Sequence, residues 1–155
     1  MSVIERNYAI KVNSLISEID AATENEYFHQ HKENFLFSII DAVHAIADCY
    51  ERNRHQLCKS DDDFLLGFCY LNNQLKHDSA LEVFGIPVYS AVLPTRLPLL
   101  LGSSSCSIIW ADFPDNGNAN ARAKRRHYDT HLVNKDVKKT MLSAKSILDR
   151  VVMPR

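Results

Sequence analysis

The chain has 155 residues, 46% of them hydrophobic and 24% charged, with a formal net charge of −1 at pH 7. That length and composition suit one globular domain able to bury a core unaided, and exclude a disordered or fibrous chain. So even a balance excludes bulk attraction to nucleic acid or membrane, so any such affinity must come from a local patch.

The first predicted helix runs from about Val3 to Ala21, with Ile4, Tyr8, Val12, Leu15 and Ile19 as its apolar stripe, and a polar stretch from Thr23 to Glu26 follows. The second runs from about Glu26 to Arg54 and turns Leu36, Ile39, Ile40, Val43, Ala47 and Tyr50 inward. Ser60 followed by Asp61, Asp62 and Asp63 is a start signal for a third helix over 61–77: the serine can cap orphan amides, and the carboxylates meet the positive end of the helix dipole. At about 100° per residue, Phe64, Phe68, Leu71 and Leu75 of this helix share one stripe. From Leu81 to Phe113 the chain turns to Val, Ile, Phe, Tyr and Trp punctuated by Gly85, Pro87, Pro94, Pro98 and Gly102, which is strand and turn chemistry. Two or three short strands are expected there, with Pro87 and Pro98 at edges or ends. Pro114 to Asn120 reads as a loop, and about Tyr128 to Val152 as a closing helix with Val137, Met141, Ala144, Leu148 and Val151 inward. The expected fold is mainly α, one domain over 1–155, with helices at about 3–21, 26–54, 61–77 and 128–152 and a small β insertion over about 81–113.

Met1-Ser2-Val3-Ile4-Glu5-Arg6 lacks the apolar core of a signal peptide, and Leu97-Pro98-Leu99-Leu100-Leu101 is too short and Pro-broken to span a bilayer. A cytoplasmic protein with no membrane partner is expected. Cys49, Cys58, Cys69 and Cys106 show no knuckle or redox spacing, and reduced structural thiols are expected. His29/His31 and His55/Cys58 could each begin a metal site, but no second matched pair completes four ligands, so neither metal nor cofactor is expected.

The richest chemistry lies in Asn72-Asn73-Gln74-Leu75-Lys76-His77-Asp78: two asparagines, a cation, an imidazole and a carboxylate in seven residues. On a helical wheel Asn73 and His77 lie about opposite the Phe64–Leu75 stripe, one turn apart, with Lys76 and Cys69 to one side. Such a face offers side chains for acid–base and phosphate chemistry; its plainer reading is a solvated helix face. The other charge run, Arg122, Lys124, Arg125 and Arg126 before His127 and Tyr128, could contact an RNA backbone with a ring available for stacking. Its plainer reading is a solvated loop.

The helical plan together with Asn72-Asn73-Gln74-Leu75-Lys76-His77 resembles the HEPN superfamily, small helical domains of bacterial toxin–antitoxin, abortive-infection and CRISPR-associated proteins. The resemblance spans about Glu26 to Val152 in architecture and implies a four-helix HEPN-like bundle, with the β insertion between helices three and four. Many members are metal-independent ribonucleases whose motif is an arginine, a polar residue, about three further residues and a histidine. Asn73 matches the polar residue, His77 the histidine and Leu75 a frequent apolar position, but Asn72 stands where the arginine belongs. Asparagine brings no charge to a developing dianion, and Lys76 could supply only a point cation. Arg126 to His131 and Arg122 to His127 also fit the arginine–histidine spacing.

The resemblance implies an RNA-acting protein of bacterial defence or toxin–antitoxin type. His77, Asn73, Asn72 and Lys76 would be the catalytic candidates for metal-independent endoribonuclease chemistry, and Arg122, Lys124, Arg125, Arg126, His127 and Tyr128 the nucleic-acid contacts. It implies a homodimer pairing two copies of helix three, and leaves room for a cognate antitoxin or other defence partner. The alternative is a catalytically inactive protein- or RNA-binding module. A third class, a structural or phage-derived protein unrelated to RNA, would follow if the Asn73–His77 face were buried within one chain.

Overall fold

The computed structural model describes residues 2–24, 32–77, 88–89, 106–107, 109–112 and 119–153. Among these the molecule is mainly helical: α1 (Val3–Glu24), α2 (Lys32–Asn53), α3 (Lys59–His77), α4 (Ala119–His131) and α5 (Val137–Val152), with a 3₁₀ turn at Arg54–Gln56 after α2. No helix among the described residues is long and apolar enough to cross a membrane.

The apolar periodicity of the first half is realised in packing. Tyr8, Val12, Leu15 and Ile19 of α1 and Ile39, Val43, Ala47 and Tyr50 of α2 are buried, while Ile4, Leu36 and Ile40 are half-buried. Each fully buried large apolar side chain contributes about 1.5–3 kcal/mol, which stabilises helices whose intrinsic propensity alone would not hold them. α1 packs along α2 and α5, and α3 lies between α2 and α4. Polar ties span the same seams: the Tyr8 hydroxyl donates to Asp149, Lys138 pairs with Asp20, and Lys11 pairs with Asp41.

Flanking by α2 on one side and α4 on the other buries α3 almost all round between Leu65 and Asn72, well beyond the single expected stripe. Cys69, expected beside the polar face, is buried with Phe68, Tyr70 and Leu71. The unbroken apolar run Phe64–Leu66 and Phe68–Leu71 is what a helix with two neighbours requires. At Gly67 a Cβ would stand 3.3 Å from the His127 carbonyl oxygen and from Leu132 Cδ1, so the missing side chain lets α4 approach closely. Ser60 falls inside the first turn rather than capping it, because α3 begins at Lys59. Asp61 and Asp62 do lie in that first turn, and both also pair with cations elsewhere: Asp61 with Arg150 at 2.7 Å and Asp62 with Arg54 at 3.0 Å.

The helix expected from Tyr128 to Val152 is two helices. The chain leaves α4 after His131, passes through Asn134 in the left-handed region (φ 58°), and restarts at Asp136, whose side chain accepts from the Lys139 amide at 2.8 Å. Asparagine tolerates that conformation and aspartate is a strong cap, so Asn134-Lys135-Asp136 carries its own break signal. The break is filled from elsewhere: Trp110 N–H donates to Lys135 C=O, and Asn134 N–H donates to Trp110 C=O, each at 3.0 Å. The Trp110 ring is buried edge-on to Phe68, and its indole N–H donates to the Thr140 hydroxyl at 2.7 Å. α4 in turn starts at Ala119, well before Tyr128. Its Ala, Arg and Lys content favours helix although no apolar period announces it.

Of the expected β insertion, the described residues show β1 (Val88–Tyr89) and β2 (Cys106–Ser107), antiparallel with Val88 opposite Ser107 and Tyr89 opposite Cys106. Pro87, Pro98, the Leu97–Leu101 run, Asp78, His29 and His31 lie outside the described residues.

Candidate functional site

The last turns of α3 divide the four residues singled out there. Asn72 faces inward, 7% exposed, with its side-chain oxygen 3.3 Å from His44 Nδ1 on α2. His44 Nε2 lies 3.4 Å from the Asp48 carboxylate one turn along α2, and both of those side chains are about half exposed. The Asn72 amide thus ties α2 to α3 beneath an imidazole–carboxylate pair. Asn73 and Lys76 are exposed to solvent. His77 is the final residue of the helix, and the surroundings of its side chain lie outside the described part. His44 was not legible as a partner: it sits 28 residues from Asn72, and only the crossing of two helices joins them.

The basic cluster lies on α4, a helix and not a loop, and its members do different work. Arg125 holds structure together: Nη2 donates to Asp112 at 2.7 Å, Nε donates to Asp129 at 2.8 Å, and the guanidinium lies 5.9 Å from the Tyr70 ring centre. Although desolvation opposes its charge, bonds to Tyr70 and Asp129 outweigh it and raise its pKa. Tyr128, expected to offer a stacking ring, is fully buried. Its hydroxyl donates to the Ala111 carbonyl at 2.6 Å, and burial raises its pKa. Both residues anchor the segment containing Trp110 to α4. Arg122 and Arg126 are exposed, and Lys124 is half-buried.

His127 and His131 stand one turn apart where α4 meets the start of α3. His127 Nδ1 is 3.7 Å from Asp63, and the His131 ring lies edge-on to Phe64 with centres 5.7 Å apart. Burial lowers the pKa of His131, repulsion from His127 lowers it further, and Asp63 partly offsets both.

Other polar clusters are accounted for by packing. The Tyr50 hydroxyl donates to Asp62 at 2.6 Å beside Arg54, and Lys145 pairs with Asp149 at 2.6 Å in a shallow groove along α5. Burial pushes the Cys49 thiol up to about 11 and the Cys69 thiol to about 12, so neither is a thiolate nucleophile at neutral pH. Among the described residues no group of three or more His, Cys, Asp or Glu side chains is arranged to hold a metal ion.

Comparison with models of known families, with curated proteins and with solved structures finds no match to this chain.

Proposed function

We infer that the chain is a HEPN-like RNA-acting protein of bacterial defence or toxin–antitoxin type. In this reading α1, α2, α3 and α5 are the four-helix bundle, α4 is an added helix packed against α3, and the paired strands β1 and β2 belong to the small β insertion. The protein works in the cytoplasm as a homodimer, with room for a cognate antitoxin. The end of α3 binds RNA rather than cutting it. The observation that carries this choice is the burial of Asn72 against His44. The position that would need a cation on the phosphate holds a neutral amide already spent on an interhelical bond, so transition-state charge gains little there. Exposed Asn73 and Lys76 remain suited to holding a phosphate in its ground state. That they face solvent within one chain weighs against the structural reading unrelated to RNA.

Fluorescence anisotropy with a labelled single-stranded RNA, on protein stripped of nucleic acid, tests this. Lys76→Ala should weaken binding and lower the slope of log K against log salt by about 0.7, one phosphate contact on a single strand. An unchanged slope would remove Lys76 from the interface, and absence of any salt-sensitive binding by the wild type would sink the RNA reading. The second reading, endoribonuclease chemistry through His77, rests on the residue type at the last position of α3, and EDTA-resistant cleavage lost in His77→Ala would favour it.

A further inference from the structure

On α2 the His44 ring stands between two oxygens. Asn72 Oδ1 lies 3.3 Å from its Nδ1, and Asp48 Oδ2 lies 3.4 Å from its Nε2. A neutral imidazole has a single N–H to offer, and both facing atoms are acceptors. Asn72 is 7% exposed and reaches across from α3, so its carbonyl oxygen calls for that proton on Nδ1. Nε2 then turns its lone pair toward the Asp48 carboxylate, an arrangement that wants a cation between the two. The separation agrees. At 3.4 Å it exceeds the length of a charge-assisted N–H···O bond, about 2.7–2.9 Å. It is close to the edge, about 3.3 Å, of a tetrahedron whose central zinc ion stands about 2.0–2.1 Å from its nitrogen and oxygen ligands. His44 and Asp48 are both about half exposed, so an ion can reach them from solution. Asp41, one turn before His44, is already paired with Lys11.

We propose that His44 Nε2 and Asp48 Oδ2 bind a divalent transition-metal ion of the zinc class on the surface of α2, with Asn72 as the positioning residue behind the imidazole. A metal-bound imidazole regularly gives its other N–H to a carbonyl or carboxylate oxygen, which fixes the tautomer and strengthens the nitrogen facing the metal. The buried Asn72 amide fills that role from the neighbouring helix. Water takes the remaining coordination positions. With one imidazole and one carboxylate from the protein, the ion is held more weakly than in a structural or catalytic zinc site and exchanges with solution. The nitrogen ligand selects Zn²⁺ over Mg²⁺ and Ca²⁺, which prefer oxygen alone. The site does not depend on the RNA-acting reading.

The experiment titrates the full chain, stripped of metal and moved to chelator-free buffer, with ZnCl₂ and separately with MgCl₂ by isothermal calorimetry. The chain holds seven histidines, so His127→Gln is the control for zinc held elsewhere. Zinc affinity should fall about tenfold or more in His44→Gln and in Asp48→Asn and stay unchanged in His127→Gln. Asn72→Leu should weaken zinc about tenfold, and Asn72→Asp, which still accepts from Nδ1, should restore it; a merely structural amide would leave zinc affinity where it was. In the wild type, a long-range proton–nitrogen NMR spectrum should place zinc on Nε2 and a proton on Nδ1 of His44, a readout that needs no variant to fold. Zinc binding that survives both ligand substitutions, falls equally in His127→Gln, is no tighter than magnesium, or is absent from the wild type would overturn the site.

Discussion

The two ends of α3 use their polar residues in opposite ways. At the start, Asp61, Asp62 and Asp63 are each met by a cationic or imidazole side chain from another part of the chain: Arg150, Arg54 and His127. At the end, Asn72 is tied to His44, but Asn73 and Lys76 one turn on meet solvent. Between the two, Phe68 lies edge-on to Trp110 and Gly67 sits against α4. The first three-quarters of the helix is thus a scaffold clamped by its neighbours, and the last turn is presented by that scaffold. A polar turn exposed on a rigid helix is a better binding surface than one on a loop, because its geometry is fixed before the partner arrives.

The sharpest way to break this contrast is to loosen the clamp. Trp110→Ala removes a fully buried indole, its edge contact with Phe68 and its bond to Thr140. It should cost about 3–5 kcal/mol in urea denaturation, the range for large buried aromatic truncations. A loss below about 1 kcal/mol would mean that Trp110 and the segment around it are an appendage and not part of the scaffold. Asn72→Ala probes the boundary between the two regions. It removes one hydrogen bond to a half-exposed imidazole that water can partly replace, so about 1 kcal/mol is expected. A loss approaching 3 kcal/mol would place the end of α3 with the core.

The contrast was half legible in the residues. The stripes of α1 and α2 follow the helical period because each of those helices has a clear solvent side, and periodicity reports that geometry. α3 has none through its middle: the run from Phe64 to Leu71 signals burial all round but cannot say that the second neighbour is α4. α4 itself hid behind its composition, since Arg, Lys and His on six of its thirteen positions leave no apolar period. Only Tyr128 and Leu132 are fully buried from its described residues and the turn that follows. The break before α5 was written in Asn134 and Asp136, but Val137, Met141, Ala144 and Leu148 continue a stripe that masks it. For the candidate site, the chemistry of Asn73 and Lys76 was readable from residue type. The partners His44 for Asn72 and Asp63 for His127 were not, because they come from helix crossings 28 and 64 residues away in sequence.

The smallest expected effect sharpens the comparison most. Asn73→Ala and Lys76→Ala replace exposed side chains on the last turns of a helix with a good helix former. Each should therefore shift stability by no more than about 0.5 kcal/mol in either direction, the usual range for surface positions. Removing Lys76 also takes a cation from the negative end of the helix dipole, which argues for a slight loss, set against the gain in propensity from alanine. A thermal melt that stays put, beside an RNA anisotropy titration that weakens, would separate presentation from scaffold at single-residue resolution. A melt that fell by several degrees would instead show these side chains holding the fold, and the turn would then be no freer than the clamped start of the same helix.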